Sequence, residues 1–142
     1  MLGYVLPIVI IVVSNVFYNI VTKSTPSDAN PFASLFLTYL SAALVAGILM
    51  FFQSPHKSLS SMFHGVNWTG AVLGLTIVGL EFGYITAYRA GWNISVGSLV
   101  ANILLAVILV PVGLLLYKES ITLNQCIGIL LCIAGLVFIN KR

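Results

Sequence analysis

Five apolar runs, each about as long as a bilayer is thick, account for most of this 142-residue chain. They cover residues 2–22, 32–52, 69–90, 96–117 and 121–140. A membrane-crossing helix needs about 20 apolar residues. Hydrocarbon offers no partner to exposed backbone, so only helices and closed barrels cross it. No run alternates with period two over a barrel strand's length. The pattern predicts an all-α membrane protein, a bundle of five transmembrane helices in a single domain over residues 1–142. Composition agrees, because only 6% of residues are charged where a soluble domain carries about 25%. The length leaves no room for a soluble domain.

The connections are short. Residues 23–31 (KSTPSDANP) are rich in turn formers. In the polar stretch 53–68, Leu59, Met62 and Phe63 recur at three- and four-residue spacing, which predicts a short interfacial helix over 57–66. Trp68 and Trp92 flank the third run, where interfacial aromatics belong. The first run lacks a basic flank and a small-residue cleavage site, so it reads as a retained span.

Several function classes drop out. A net charge of +3, with no Lys/Arg cluster beyond Lys141-Arg142, gives no footprint for nucleic acid. Cys126 and Cys132 are about 240° apart on one helix and cannot pair with each other. His56 and His64 have no Cys or carboxylate beside them, so no metal site is expected. The three acids, Asp28, Glu81 and Glu119, fall in different regions, and no catalytic grouping or phosphate loop is present. The expectation is a non-enzyme without cofactor. Asn67-Trp68-Thr69 and Asn93-Ile94-Ser95 match the glycosylation sequon but abut the membrane.

Five crossings put the termini on opposite sides, with orientation set by Lys and Arg. Lys57 and Lys118 fall on the N-terminal side; Lys23, Arg89, Lys141 and Arg142 fall on the other. The count favours a C-terminus inside, by a margin small enough to leave both orientations open.

Glu81 interrupts the apolar run GAVLGLTIVGLEFGYITA. A charge at bilayer depth costs about 2.5–3.5 kcal/mol on insertion scales, so such groups face a protein interior or a wet cavity and mark functional sites. A low-dielectric interior disfavours the ionised form of a carboxyl, which brings proton exchange within reach of neutral pH. Tyr84 and Tyr88 share the face of Glu81, while Gly79, Gly83 and Ala87 form a small-residue seam on the opposite face. Arg89 is placed to reach the interface. Asn15, Tyr18, Asn19 and Thr22 form a polar stripe on the first run, Ser34, Thr38 and Ser41 on the second, Ser98 and Asn102 on the fourth. Pro111 would kink the fourth span. Gln125, Gly128, Cys132 and Gly135 mark a helix contact face on the fifth. The stripes predict a shared cavity with one titratable group, lined by Glu81, Tyr84, Tyr88, Asn15, Tyr18, Asn19 and Asn102. The plainer reading of each is structural: a satisfied carboxyl at Glu81, aromatic packing at Tyr84 and Tyr88, interhelical bonds at the amides.

The second half carries a family pattern: a central Pro111-Val112, the turn Tyr117-Lys118-Glu119-Ser120, then Gln125-Cys126-Ile127-Gly128 and Ala134-Gly135-Leu136. This resembles the closing part of an EamA-type repeat of the drug/metabolite transporter superfamily. Ser14-Asn15 is similar to the opening helix of such a repeat. The resemblance implies one five-span repeat where most members have two, inverted about a midplane site. It implies pairing as an inverted homodimer or as a heteromer with another short subunit. The small multidrug-resistance branch has its carboxylate in the first helix; this chain has Asn15 there and Glu81 in the third. The expected function is a secondary transporter in the cell (inner) membrane, a proton-coupled exporter of a small polar or cationic metabolite. A flippase subunit for a lipid-linked head group and a non-transporting membrane interaction subunit are the alternatives.

Overall fold

The computed structural model describes residues 2–53 and 58–140. The expected surface residues His56 and Lys57, and the terminal Lys141-Arg142 pair, lie outside the described residues. All regular structure among the described residues is helical: α1 (Leu2–Lys23), α2 (Pro31–Gln53), α3 (Leu59–Met62), α4 (Trp68–Arg89), α5 (Ile94–Leu116) and α6 (Leu123–Asn140). By length and composition α1, α2, α4 and α5 can each cross a membrane, and α6 holds a shorter apolar stretch, Leu123–Gly135. Within the stretch 57–66, α3 is a single turn, followed by Gly65 at φ +90°.

Polar residues set the helix starts. Asn30 Oδ1 accepts from the backbone N–H groups of Phe32 (2.9 Å) and Ala33 (3.4 Å), with Pro31 as the first helical residue. Asn67 caps α4 through Thr69 N–H at 3.0 Å. At the start of α6, Thr122 and Gln125 form a reciprocal box. Gln125 Oε1 accepts from Thr122 N–H (2.8 Å), and Thr122 Oγ1 accepts from Gln125 N–H (3.4 Å).

The chain divides into two compact units, Met1–Ala90 and Gly91–Arg142. In the first, α4 packs against both α1 and α2. Leu35, Ile85, Tyr88 and Asn19 are its buried residues. Phe32 stacks on Phe82 at 5.1 Å between centroids. The C-terminal end of α4 is fastened by cations. Arg89 donates to the Pro26 and Ala29 carbonyls (2.9 and 2.8 Å), and Lys23 Nζ donates to the Tyr88 carbonyl (3.1 Å). Outward large side chains such as Leu37, Leu44 and Leu73 are exposed, as a hydrocarbon solvent permits. A Cβ at Gly79 or Gly83 would meet nothing within 4 Å, so the small-residue seam is not used for packing within this unit.

In the second unit α5 packs on α6, leaving a groove of about 570 Å³ lined by Ile103, Val107, Val110, Ile129 and Cys132 among others. Gln125 and Gly128 of the α6 stripe also face this groove. α5 runs helical through Pro111, which has no N–H to give the Val107 carbonyl. After α5, Lys118 adopts a left-handed φ of 53° and turns the chain, and Glu119 N–H returns to the Gly113 carbonyl at 3.1 Å. The Glu119 carboxylate lies where a Cβ at Gly113 would be.

The cap box gives a direct expectation. Thr122→Ala should weaken the first turn of α6 by about 1 kcal/mol. Hydrogen–deuterium exchange of peptides spanning 122–128, in detergent, should speed up about fivefold, with α5 peptides unchanged.

Candidate functional site

Three of the polar stripes meet in the first unit. Where α4 crosses between α1 and α2, a cavity of about 270 Å³ is lined by Tyr18 and Thr22 of α1, Thr25 just after it, Ser34 and Thr38 of α2, and Glu81 of α4. Leu35 and Ile85 form part of its apolar wall. Position 81 faces the cavity because Ile85 and Tyr88, one and two turns on, are the buried positions of α4.

Phenols surround the carboxyl. Glu81 lies beside the Tyr39 hydroxyl of α2 and within electrostatic reach of Tyr18 on α1. The Tyr18 and Tyr39 hydroxyl oxygens are both buried, and neither meets a hydrogen-bond partner of good geometry among the described residues.

Beside the cavity, a second cluster locks α1 to α4. Tyr18 meets Tyr84 edge-on at 5.6 Å, and Tyr84 leans on Tyr88 at 5.9 Å. The buried Tyr88 hydroxyl donates to Asn19 Oδ1. Asn19 Nδ2 in turn donates to the Asn15 carbonyl at 2.8 Å. Lys23 Nζ sits 5.5 Å from the centre of the Tyr88 ring, within cation–π range. The Asn19 amide and the Tyr88 hydroxyl are therefore engaged within this lock.

Of the residues singled out in the sequence, the structure brings Tyr18 and Glu81 onto the cavity. It places Asn19, Tyr84 and Tyr88 in the neighbouring lock, to which Asn15 contributes its carbonyl. Asn102 belongs to the second unit, where its amide donates to the Ser98 carbonyl (2.8 Å) and to Ser98 Oγ (3.3 Å). Tyr39 was absent from the sequence expectation. It lies one position off the Ser34–Thr38–Ser41 stripe and one turn from the buried Leu35, and that spacing was the available signal. No group of three or more metal-ligating side chains occurs among the described residues.

The EamA-like transporter family matches residues 2–141. The chain belongs to this family. No curated protein and no solved structure matches it. Family membership, with the apolar helices, makes it a multi-pass membrane transporter of the drug/metabolite type; family members are transporters rather than enzymes.

The lock and the cavity separate by substitution. Tyr88→Phe leaves buried Asn19 Oδ1 without its donor, a loss of about 1–3 kcal/mol. The melting temperature in detergent should fall by about 2–4 °C per kcal/mol. Tyr84→Phe keeps both ring contacts and should melt like the unaltered protein.

Proposed function

We propose that this chain is a half-size secondary transporter that exports a small polar or cationic metabolite in exchange for protons. The observation that carries this reading is Glu81, a carboxyl well inside an otherwise apolar span, lining a cavity and faced by phenols. Tyr18 faces it from α1, Tyr39 from α2, and Tyr84 follows one turn along α4. The neutral carboxylic acid leaves the cavity without charge, and the carboxylate attracts a cation. Proton and cargo thus compete for one group, which is the minimum needed for exchange. Tyr18 contacts the cargo, while Asn19, Tyr84 and Tyr88 hold Tyr18 and α4 in register.

The assembly follows from the span count. α6, with 18 residues, is about 27 Å long, close to the ~30 Å hydrocarbon core. We take it as the fifth crossing. A repeat with an odd number of spans pairs with an inverted copy to enclose a midplane site. The second copy is this same chain in the opposite orientation or a different short subunit, within the cell membrane (the inner one where there are two).

Two measurements test this. Adding small amines, amino sugars or quaternary ammonium ions to the solubilised protein should release protons, read with a pH dye. Glu81→Gln, with an unchanged melting temperature, should release none. Release equal to the unaltered protein would remove Glu81 from the mechanism. For the pairing, single cysteines at Ser24 and Lys118, with Cys126 and Cys132 replaced, are labelled by an impermeant thiol reagent. Labelling of both from both sides supports an inverted homodimer; labelling of each from one side requires a distinct partner subunit.

A further inference from the structure

Three of the hydroxyls that line the Glu81 cavity, those of Thr38, Ser34 and Thr25, are not free to act as donors. Thr38 Oγ1 lies 2.9 Å from the Ser34 carbonyl, Ser34 Oγ lies 3.2 Å from the Asn30 carbonyl, and Thr25 Oγ1 lies 3.4 Å from the Val21 carbonyl. A carbonyl oxygen can only accept, so in each pair the hydroxyl proton is committed to the helix backbone. What each of these oxygens has left for the cavity is lone pairs. Glu81, when ionised, is acceptor-only as well. The wall therefore combines the carboxylate of α4 with three hydroxyl oxygens that present acceptors, two on α2 and one just past the end of α1.

Such a wall discriminates among cations. An occupant displaces water from these acceptors, and each acceptor left without a donor forfeits the hydrogen bond that water gave it. A primary ammonium brings three N–H donors to one carboxylate and its neighbouring oxygens. A quaternary ammonium brings the same charge and no donor. The volume, about 270 Å³, sits at the lower edge of ordinary ligand pockets and suits a small amine or the amine end of a larger molecule.

We propose that the Glu81 cavity selects cations that donate hydrogen bonds, primary ammonium groups above all, over quaternary ammonium ions of the same size, through the acceptor oxygens of Ser34, Thr38 and Thr25. The selection rests on the reading of Glu81 as the cation site, and adds the chemical class of the cargo.

The matched probes are butylammonium and tetramethylammonium, which have four carbons, one nitrogen and one positive charge each. Calorimetric titration of the solubilised protein should show butylammonium binding about tenfold or more tightly, the factor expected for one hydrogen bond to a charged group. The Ser34→Ala/Thr38→Val double variant should reduce that ratio to about threefold or less, by weakening butylammonium and relieving the cost to tetramethylammonium. Thr25→Val, just past the end of α1, should move the ratio in the same direction and serves if the double variant does not fold. Glu81→Gln should lose both cations. Equal binding of the two probes, or a ratio unmoved by the hydroxyl variants, overturns the selection while a Glu81→Gln loss leaves the site reading standing. If Glu81→Gln binds both as before, or the unaltered protein binds neither, the site reading falls and the selection with it.

Discussion

A lipid interior supplies no hydrogen bonds, and that constraint organises the polar side chains of this protein. Within the spans, Thr38, Ser41, Thr76 and Thr86 each turn a hydroxyl back onto a carbonyl three or four residues earlier. Asn19 and Asn102 do the same with their amides. In water these groups would be satisfied by solvent and free to reorient. In hydrocarbon, self-bonding is the arrangement that needs no neighbour. It also fixes which half of each hydroxyl remains on offer, so a solvation requirement becomes the chemical character of the cavity wall.

The same constraint explains why the polar groups of the first unit divide into two sets. Asn19 and Tyr88 are buried and complete each other, which ties α1 to α4 with the specificity of a single donor–acceptor pair. Tyr18 and Tyr39 are buried at the hydroxyl and do not complete each other. A satisfied pair resists separation, whereas unsatisfied phenols beside a carboxyl favour whatever donor or acceptor arrives. The Tyr18–Tyr84–Tyr88 ring contacts couple the two sets, so the fixed lock positions one wall of the cavity.

Much of this architecture was legible in the sequence because membrane spans announce themselves by length. The four long apolar helices and the polar position of Glu81 follow from hydropathy and 3.6-residue periodicity alone. Less was legible in the site. The stripe Asn15–Tyr18–Asn19–Thr22 lies on the side of α1 that meets α4, but a stripe spans more than one side chain's width. Which of its members meets a cavity and which meets Tyr88 depends on the crossing of α1 with α4. Tyr39 is not marked by the pattern, because it stands beside the hydroxyl stripe of α2 rather than on it. Gln125 illustrates the converse. It read as a contact residue by its place on α6, and the structure also gives it a local duty, closing the first turn with Thr122.

Arg89 has a further consequence. Its guanidinium fastens the residue 24–30 connection to α4 through two neutral carbonyls, Pro26 and Ala29. A carboxylate in that place would have cancelled the charge; a carbonyl satisfies the N–H groups and leaves it intact. The same side chain can therefore act twice in the life of the protein. During insertion it counts as one full positive charge in deciding which flank stays behind. After insertion it becomes a tether that holds the 24–30 connection against the end of α4.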